Sequence, residues 1–440
     1  MPSQYRPSGS NAREIAASIE DGVRGGRLSA GSALPTVRGL AKTLGVSPAT
    51  VAAAYRALRH RGVLSSHGRR GTRVGHRPPL LAPPPAPIPG HLRNLADGTP
   101  DPALLPRPRA ADARLSGRPH LYGEGAHDPE LLRLAAREFA ADGIAADALA
   151  VVSGAMDGIE RVLQAHLRPG DRVAVEDPGY PAVLDLLGAL GLVAEPVAVD
   201  DQGLVPDDLA RALAGPVAAL VVTPRAQNPT GAALDEGRAR ALRRVIDAHP
   251  DLLLIEDDHA AWIAGTPPVT LWSRNRTRWA VIRSVSKSLG PDLRVALMAG
   301  DATTIARVEG RQLLGPGWVS QILQRLVAGL WTDPKTTPLL RTAAAAYTER
   351  REALIRALET HGIATHGRSG LNVWIPVPDE HRTLALLAER GWALRGGERY
   401  RVKSPPAVRV SIATLKPAEA VRLAADLAAA LRPDRRTRTA

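Results

Sequence analysis

Apolar positions recur at helical spacing three times in the first 60 residues. Ile15 and Ile19 stand one turn apart and predict an amphipathic helix over about residues 12–23. Val37, Leu40, Ala41 and Leu44 repeat in steps of one, three and four; Gly45-Val46-Ser47 interrupts them, and Val51, Tyr55 and Leu58 resume the pattern. Two short amphipathic helices around a tight glycine-containing turn predict a helix-turn-helix. Ser47 suits the cap of the second helix, and Pro48 its first position, where no N–H is required. Gly62-Val63-Leu64 can then begin a strand. His67-Gly68-Arg69-Arg70-Gly71-Thr72-Arg73 reads as a glycine-bounded, cationic hairpin tip.

The pattern changes beyond residue 96. Short, nearly continuous apolar runs alternate with helical stretches: 150–152, 173–175, 219–222, 252–255, 279–285 and 295–299. Such runs, spaced by helices, predict a mainly parallel sheet covered on both faces. Ligands in these α/β folds sit beyond the carboxyl ends of the strands. Between the two regions, HRPPLLAPPPAPIPGHLR holds too many prolines for a helix or an inner strand and reads as an extended linker. The organisation predicted is therefore residues 1–74 as a winged helix-turn-helix, 75–94 as linker and 95–440 as the α/β body, with a smaller subdomain from about 340 to 440.

Composition fits this division. A chain of 440 residues exceeds one ordinary core. No run of about 18 apolar residues predicts a membrane span, and the first residues lack the apolar segment of a secretory signal. Cysteine is absent, which excludes disulfides and thiolate chemistry. These features give a cytoplasmic protein with no membrane partner as the expectation. The net charge of +13 is unevenly placed: residues 22–96 hold twelve Lys or Arg and no Asp or Glu. A cationic block ahead of a balanced body points to a polyanion-binding module.

The stretch LPTVRGLAKTLGVSPATVAAAYRALRHRGVLSSHGRRGT, residues 34–72, resembles the GntR family of winged helix-turn-helix regulators. The resemblance implies double-stranded operator DNA as partner, with the recognition helix in the major groove and the wing on the backbone. Arg38 falls where the family places a DNA-contacting Arg, and Ser47, Thr50, Arg56, Arg69 and Arg70 are further candidates. Two other positions at which the family commonly has Arg are Pro48 and Ala52 here, so the contact set differs.

The body carries a second constellation. Lysine is scarce, five residues against 52 arginines, yet Lys287 stands in Ser284-Val285-Ser286-Lys287-Ser288-Leu289-Gly290 just after an apolar strand. A lysine amine forms an imine with an aldehyde once deprotonated, which Arg cannot do. Ser153-Gly154-Ala155-Met156 opens a helix whose free N–H groups suit a phosphate. Glu176-Asp177-Pro178-Gly179-Tyr180 ends a strand with an aromatic ring able to cover a planar cofactor. Asn228-Pro229-Thr230-Gly231 offers an amide from a turn, and Glu256-Asp257-Asp258 sets carboxylates at a strand end, where one can hold a protonated pyridine nitrogen.

In this order the motifs resemble fold-type I aminotransferases, over roughly residues 95–431. The resemblance implies pyridoxal 5′-phosphate as cofactor, a large sheet domain and a small C-terminal α+β domain. It also implies Lys287 as the internal-aldimine lysine, Asp257 at the pyridine nitrogen, Asn228 at the phenolic oxygen and Tyr180 over the ring. Gly154, Ala155, Ser284 and Arg294 would hold the phosphate, with Tyr122 reaching it from a partner subunit. Arg409, in Val408-Arg409-Val410-Ser411, would clamp a ligand carboxylate. Where relatives carry a Tyr that bonds the phenolic oxygen, this chain has His259, expected to titrate near neutrality. Joined by a proline-rich linker, the halves resemble the MocR subfamily of GntR regulators. That implies a homodimer whose operator affinity responds to pyridoxal phosphate or an amino ligand, with weak or vestigial transamination. A working aminotransferase and an apo dimerisation scaffold are the alternative readings.

Overall fold

The computed structural model describes residues 5–60, 62–66, 71–75, 87–113 and 119–432. By packing, the chain divides into two compact units. One comprises Met1–Pro87 with Leu167–Val173 and Pro181–Ala194; the other comprises Ile88–His166, Ala174–Tyr180 and Glu195–Ala440.

In the N-terminal part, α1 (Ala12–Arg24), α2 (Val37–Leu44) and α3 (Pro48–His60) follow the apolar periodicity. The Thr36 side chain caps α2, and Gly45 ends it at φ 68°, a left-handed conformation that glycine adopts without a Cβ clash. The Ser47 hydroxyl accepts from the Thr50 N–H at 3.1 Å, so the turn between α2 and α3 is a capped one. Ile15, Ile19, Leu40, Val51, Tyr55, Leu58 and Val74 form one buried cluster. Burial of each aliphatic side chain there stabilises by about 1.5–3 kcal/mol. Strands β1 (Leu64–Ser66) and β2 (Thr72–Val74) pair antiparallel, Leu64 opposite Val74, and make the wing.

The body opens with β3 (Arg93–Asn94) and α4 (Pro129–Ala141). It continues through β4 (Leu149–Val152), α5 (Ala155–His166), β5 (Arg172–Asp177), α6 (Pro181–Ala189), β6 (Val193–Asp200), β7 (Gly203–Leu204), α7 (Pro206–Leu213) and β8 (Val217–Val222). Then come α8 (Glu236–Asp247), β9 (Leu253–Asp258), β10 (Trp279–Ser284), β11 (Ala296–Gly300), α9 (Ala302–Leu313), α10 (Gln321–Thr332) and α11 (Thr336–Glu359). The eight strands from β4 to β11 form one sheet in the order β4-β11-β10-β9-β8-β5-β6-β7. Strands β8, β9 and β10 run parallel, as the apolar runs predict. Strand β11 runs against both β10 and β4, so the sheet is mixed. The connection between β10 and β11 is too short for a parallel crossover, and the chain turns straight back. Strand β6, next to the edge strand β7, escapes the continuous-run criterion because it is only partly buried, and β7 because it is only two residues long.

The C-terminal part adds β12 (Asn372–Pro376), α12 (Glu380–Glu389), β13 (Trp392–Ala393), β14 (Arg395–Gly396), β15 (Ala407–Ser411) and α13 (Pro417–Leu431). β15 lies between β12 and β14, antiparallel to both, which sets Arg409 opposite Trp374 and Arg395. β13 pairs in parallel with β3, and Arg93 donates to Glu419 at 2.9 Å. The segment that follows the linker is thereby fastened to the C-terminal subdomain. Among the described residues no helix is long and apolar enough to cross a membrane.

Candidate functional site

Three consecutive carboxylates at the end of β9 meet three different fates. Glu256 accepts from the Thr270 hydroxyl and from the Leu271 and Trp272 N–H groups at 2.8–2.9 Å, which ties β9 to the following loop. Asp258 takes a bidentate pair from Arg225, both bonds 2.8 Å, and a third bond from Arg283 at 2.9 Å. The two guanidinium groups hold its carboxyl far below the usual range despite its burial. Asp257, between them, is buried, and its Oδ1 has no hydrogen-bond partner among the described residues. Burial, then the charge of Asp258, pushes its carboxyl up to about 7. A buried acceptor without a donor costs free energy, and a protonated pyridine nitrogen is a donor that would satisfy it.

Lys287 lies in the turn after β10, where burial and then the Arg409 charge bring its amine down to about 8. Its Nζ donates to the Gly98 carbonyl. Ser284, the last residue of β10, is buried and accepts from the Ser286 N–H at 3.2 Å. Gly154 leads into α5 at φ 93°, and a Cβ on it would stand 2.8 Å from the Arg294 guanidinium. Gly154, Ala155 and exposed Arg294, itself left-handed at φ 48°, therefore converge at the positive end of α5. This arrangement suits a phosphate.

Asn228 turns its Oδ1 to Arg409, which donates at 3.0 Å, so the amide nitrogen is the end left to donate elsewhere. Arg409 is 4 % exposed, gives a further bond to the Ala96 carbonyl, lies over the Tyr400 ring, and keeps an Nε without a partner among the described residues. Tyr180 remains 39 % exposed, and the Gly179 N–H before it is anchored on the Tyr400 carbonyl at 2.7 Å. His259 departs from its expectation of titrating near neutrality. Burial, then the Lys287 charge, brings it down to about 4, so it stays neutral in physiological conditions. Tyr122 is 92 % exposed, edge-on to Trp318, and does not join the other candidates within one chain.

In the reader, Arg38 and Arg56 are exposed, on α2 and α3. Ser47 and Thr50 bond each other at 2.8 Å as well as through the cap, so their hydroxyls already serve the turn. Arg69 and Arg70 lie outside the described residues.

Sequence reasoning missed Arg225 and Arg283, which hold Asp258, and the carbonyls of Ala96 and Gly98. An arginine two residues before the Gln227-Asn228 pair was the available signal for Arg225; backbone carbonyls leave no signal in residue types.

Residues 91–427 match the family model for aminotransferase class I and II, and residues 11–74 match that for bacterial regulatory proteins of the gntR family. The chain is 41 % identical to the vitamin B6 salvage pathway transcriptional repressor PtsJ of Salmonella typhimurium, over 96 % of this chain and 99 % of that protein. It is 35 % identical to the HTH-type pyridoxine biosynthesis transcriptional regulator PdxR of Corynebacterium glutamicum, over 54 % of this chain and 53 % of that one. Among solved structures, the α-aminoadipate aminotransferase LysN of Thermus thermophilus superposes with a TM-score of 0.69 at 21 % identity, covering 78 % of this chain and 92 % of LysN. That likeness establishes the fold of the body.

Proposed function

Because the chain belongs to the MocR subfamily, DNA-binding transcriptional regulators that join a gntR-type reader to a class I and II aminotransferase body, we propose that it senses pyridoxal 5′-phosphate through that body. On this reading its affinity for an operator changes when the cofactor, alone or with a small amino ligand, occupies the site. Two relatives whose names concern vitamin B6 salvage and pyridoxine biosynthesis favour the cofactor itself as a signal. The working unit is a homodimer, and Tyr122, exposed in one chain, would serve the phosphate of its partner's site.

The observation that carries the proposal is the isolation of Asp257. Its neighbours each accept several hydrogen bonds, while Asp257 keeps one buried acceptor oxygen without a donor among the described residues. A regulator that used this body only as a dimerisation scaffold would have no need to keep that oxygen bare. Pyridoxal phosphate supplies an aldehyde that condenses with primary amines and a pyridine ring that withdraws electrons. This chain's residues would do the rest. Lys287 presents a largely dry amine that sheds its proton near pH 8; Asp257 holds a proton-bearing ring nitrogen; Gly154, Ala155, Ser284 and Arg294 hold the phosphate. Asn228 orients the ring oxygen, Tyr180 covers one face and excludes water, and Arg409 takes a carboxylate.

The test is a titration of fluorescent DNA from upstream of the protein's own gene, with and without pyridoxal phosphate. A coupling of about 1–3 kcal/mol corresponds to a shift of roughly 5- to 150-fold in operator affinity. Lys287→Ala should bind the same DNA yet show no shift and no cofactor colour. An equal shift in wild type and variant would refute the proposal.

A further inference from the structure

Asp177, the last residue of β5, is 5 % exposed, and its carboxylate leaves the sheet to grip a loop of the C-terminal subdomain. It accepts from three consecutive backbone N–H groups, Val402 at 2.8 Å, Lys403 at 2.7 Å and Ser404 at 3.0 Å, and from the Ser404 hydroxyl at 2.9 Å. Successive N–H groups that point into one hollow make a nest for an anion, and here a side chain fills it. Just beyond Asp177, the Gly179 N–H donates to the Tyr400 carbonyl at 2.7 Å. The end of β5 is therefore stitched to residues 400–404 where it delivers Tyr180 to the pocket.

The same loop is bound firmly to its own subdomain. Glu380, on α12, accepts from the Glu398 N–H and the Arg401 guanidinium, each at 2.8 Å, and from the Ala407 N–H at 3.2 Å. The Tyr400 ring packs edge-on to Trp374 at 5.9 Å and stands 5.2 Å from the Arg409 guanidinium. Trp374 and Arg409 are cross-strand neighbours, so whatever holds residues 400–404 also holds the strand pair that carries Arg409. A second join lies at the turn 228–231. There the Ser369 N–H donates to the Gly231 carbonyl at 2.7 Å and Arg409 donates to Asn228 Oδ1 at 3.0 Å. Held at two separate places, the subdomain cannot swing against the sheet; held at one, it can.

Lys287 stands on the sheet side of the pocket, just after β10, and Arg409 on β15 of the subdomain. A ligand only a few bonds long can engage both ends of the site only if the two halves keep a fixed separation. We infer that Asp177 is the positioning residue that keeps it, a clasp between sheet and subdomain that makes the pocket favour ligands carrying an amine and a carboxylate together over simple amines. This deepens the sensing role given above and rests on it. When two contacts are held at the right spacing, the second forms at little entropic cost, and loosening one half forfeits that advantage. A simple amine engages the Lys287 end alone and gains nothing from the spacing. Asp177 acts through the loop, by fixing where Arg409 stands.

The full-length chain is loaded with pyridoxal phosphate, and L-alanine is compared with ethylamine through the change each makes in cofactor colour. Wild type should bind L-alanine about tenfold or more tightly than ethylamine. In Asp177→Ala that ratio should fall about tenfold, through weaker L-alanine binding, with ethylamine unchanged. Ser404→Ala, which removes one bond of the clasp and keeps the N–H groups, should lower the ratio about twofold and decides the matter where Asp177→Ala does not fold. In the cofactor-free protein the amides of Val402, Lys403 and Ser404 should exchange with deuterium about tenfold faster in Asp177→Ala. A purely structural loss reduces the amount of coloured protein and leaves the ratio alone. A wild-type ratio in both variants therefore overturns the positioning role, while cofactor sensing stands. A wild type that takes up colour yet binds both compounds equally removes the carboxylate clamp and Asp177's part in it, with sensing of the cofactor alone intact. A wild type that binds DNA but never takes up colour defeats the clasp and the sensing role together.

Discussion

The reader and the cofactor pocket solve the problem of holding charge in opposite ways. In the reader the candidate cations Arg38 and Arg56 stand exposed on helix surfaces, above an apolar cluster that has no part in DNA chemistry. In the pocket the charges at the end of β9 are buried and define one another: Arg225 and Arg283 fix Asp258, and Asp258 acts on Asp257. Phosphate attraction is a sum over many similar contacts, so any one of them can be lost. A buried network has no such tolerance, because removing one member strands the others in low dielectric.

The sharpest way to break this contrast is Asp258→Ala. It leaves the Arg225 and Arg283 guanidinium groups, each under a tenth exposed, without their shared carboxylate. Breaking such a pair typically costs about 3–5 kcal/mol. The body's urea transition should fall accordingly and cofactor colour should weaken, while operator binding by whatever protein remains folded persists. A body transition within experimental error of wild type would mean that the network is ornamental. Next in size is Leu58→Ala in the fully buried reader cluster, at about 2–5 kcal/mol. It should abolish operator binding and leave the colour intact; if colour falls equally, the two regions are not separable in the way described.

What the sequence disclosed follows the same division. The reader was legible as a pattern, since apolar spacing, Gly45 and the Ser47-Pro48 start are local signals with local causes. Its DNA contacts were not, because an exposed Arg that binds phosphate and one that merely faces water look alike in a sequence. In the body the reverse held. Lys287, Asp257, Asn228 and Arg409 were marked by type and order, and the structure gathers them: Arg409 bonds Asn228, and its charge reaches Lys287. The reversed β11, the neutral His259 and the carbonyls facing Lys287 and Arg409 were hidden, because they depend on chain direction, burial and backbone placement.

A pH profile separates the regions more gently. The Lys287 amine, brought down to about 8 by burial and then by Arg409, is protonated and unreactive below that pH and free above it. Initial rates of colour formation should therefore rise about tenfold per pH unit up to about pH 8 and then level off. An ordinary exposed lysine would keep the rate climbing toward pH 10.4, roughly the unperturbed value. Operator binding by the reader, whose candidate cations are arginines and always charged, should stay flat across the same series. A plateau displaced well above pH 8 would place the amine in water rather than in a dry pocket.

The smallest effect is the one most diagnostic of additivity. Arg38→Ala removes one exposed cation from α2 and no apolar contact of the reader core. If Arg38 holds a phosphate, affinity should drop uniformly across operator and unrelated DNA, and the slope of log affinity against log salt should shrink by about 1. Specificity, the ratio between the two DNAs, should hardly move. If instead the loss fell on the operator alone, Arg38 would be reading a base edge, at about 1–3 kcal/mol of discrimination. The reader would then contain an irreplaceable residue, and the opposition between a summed surface and an interlocked pocket would have to be redrawn.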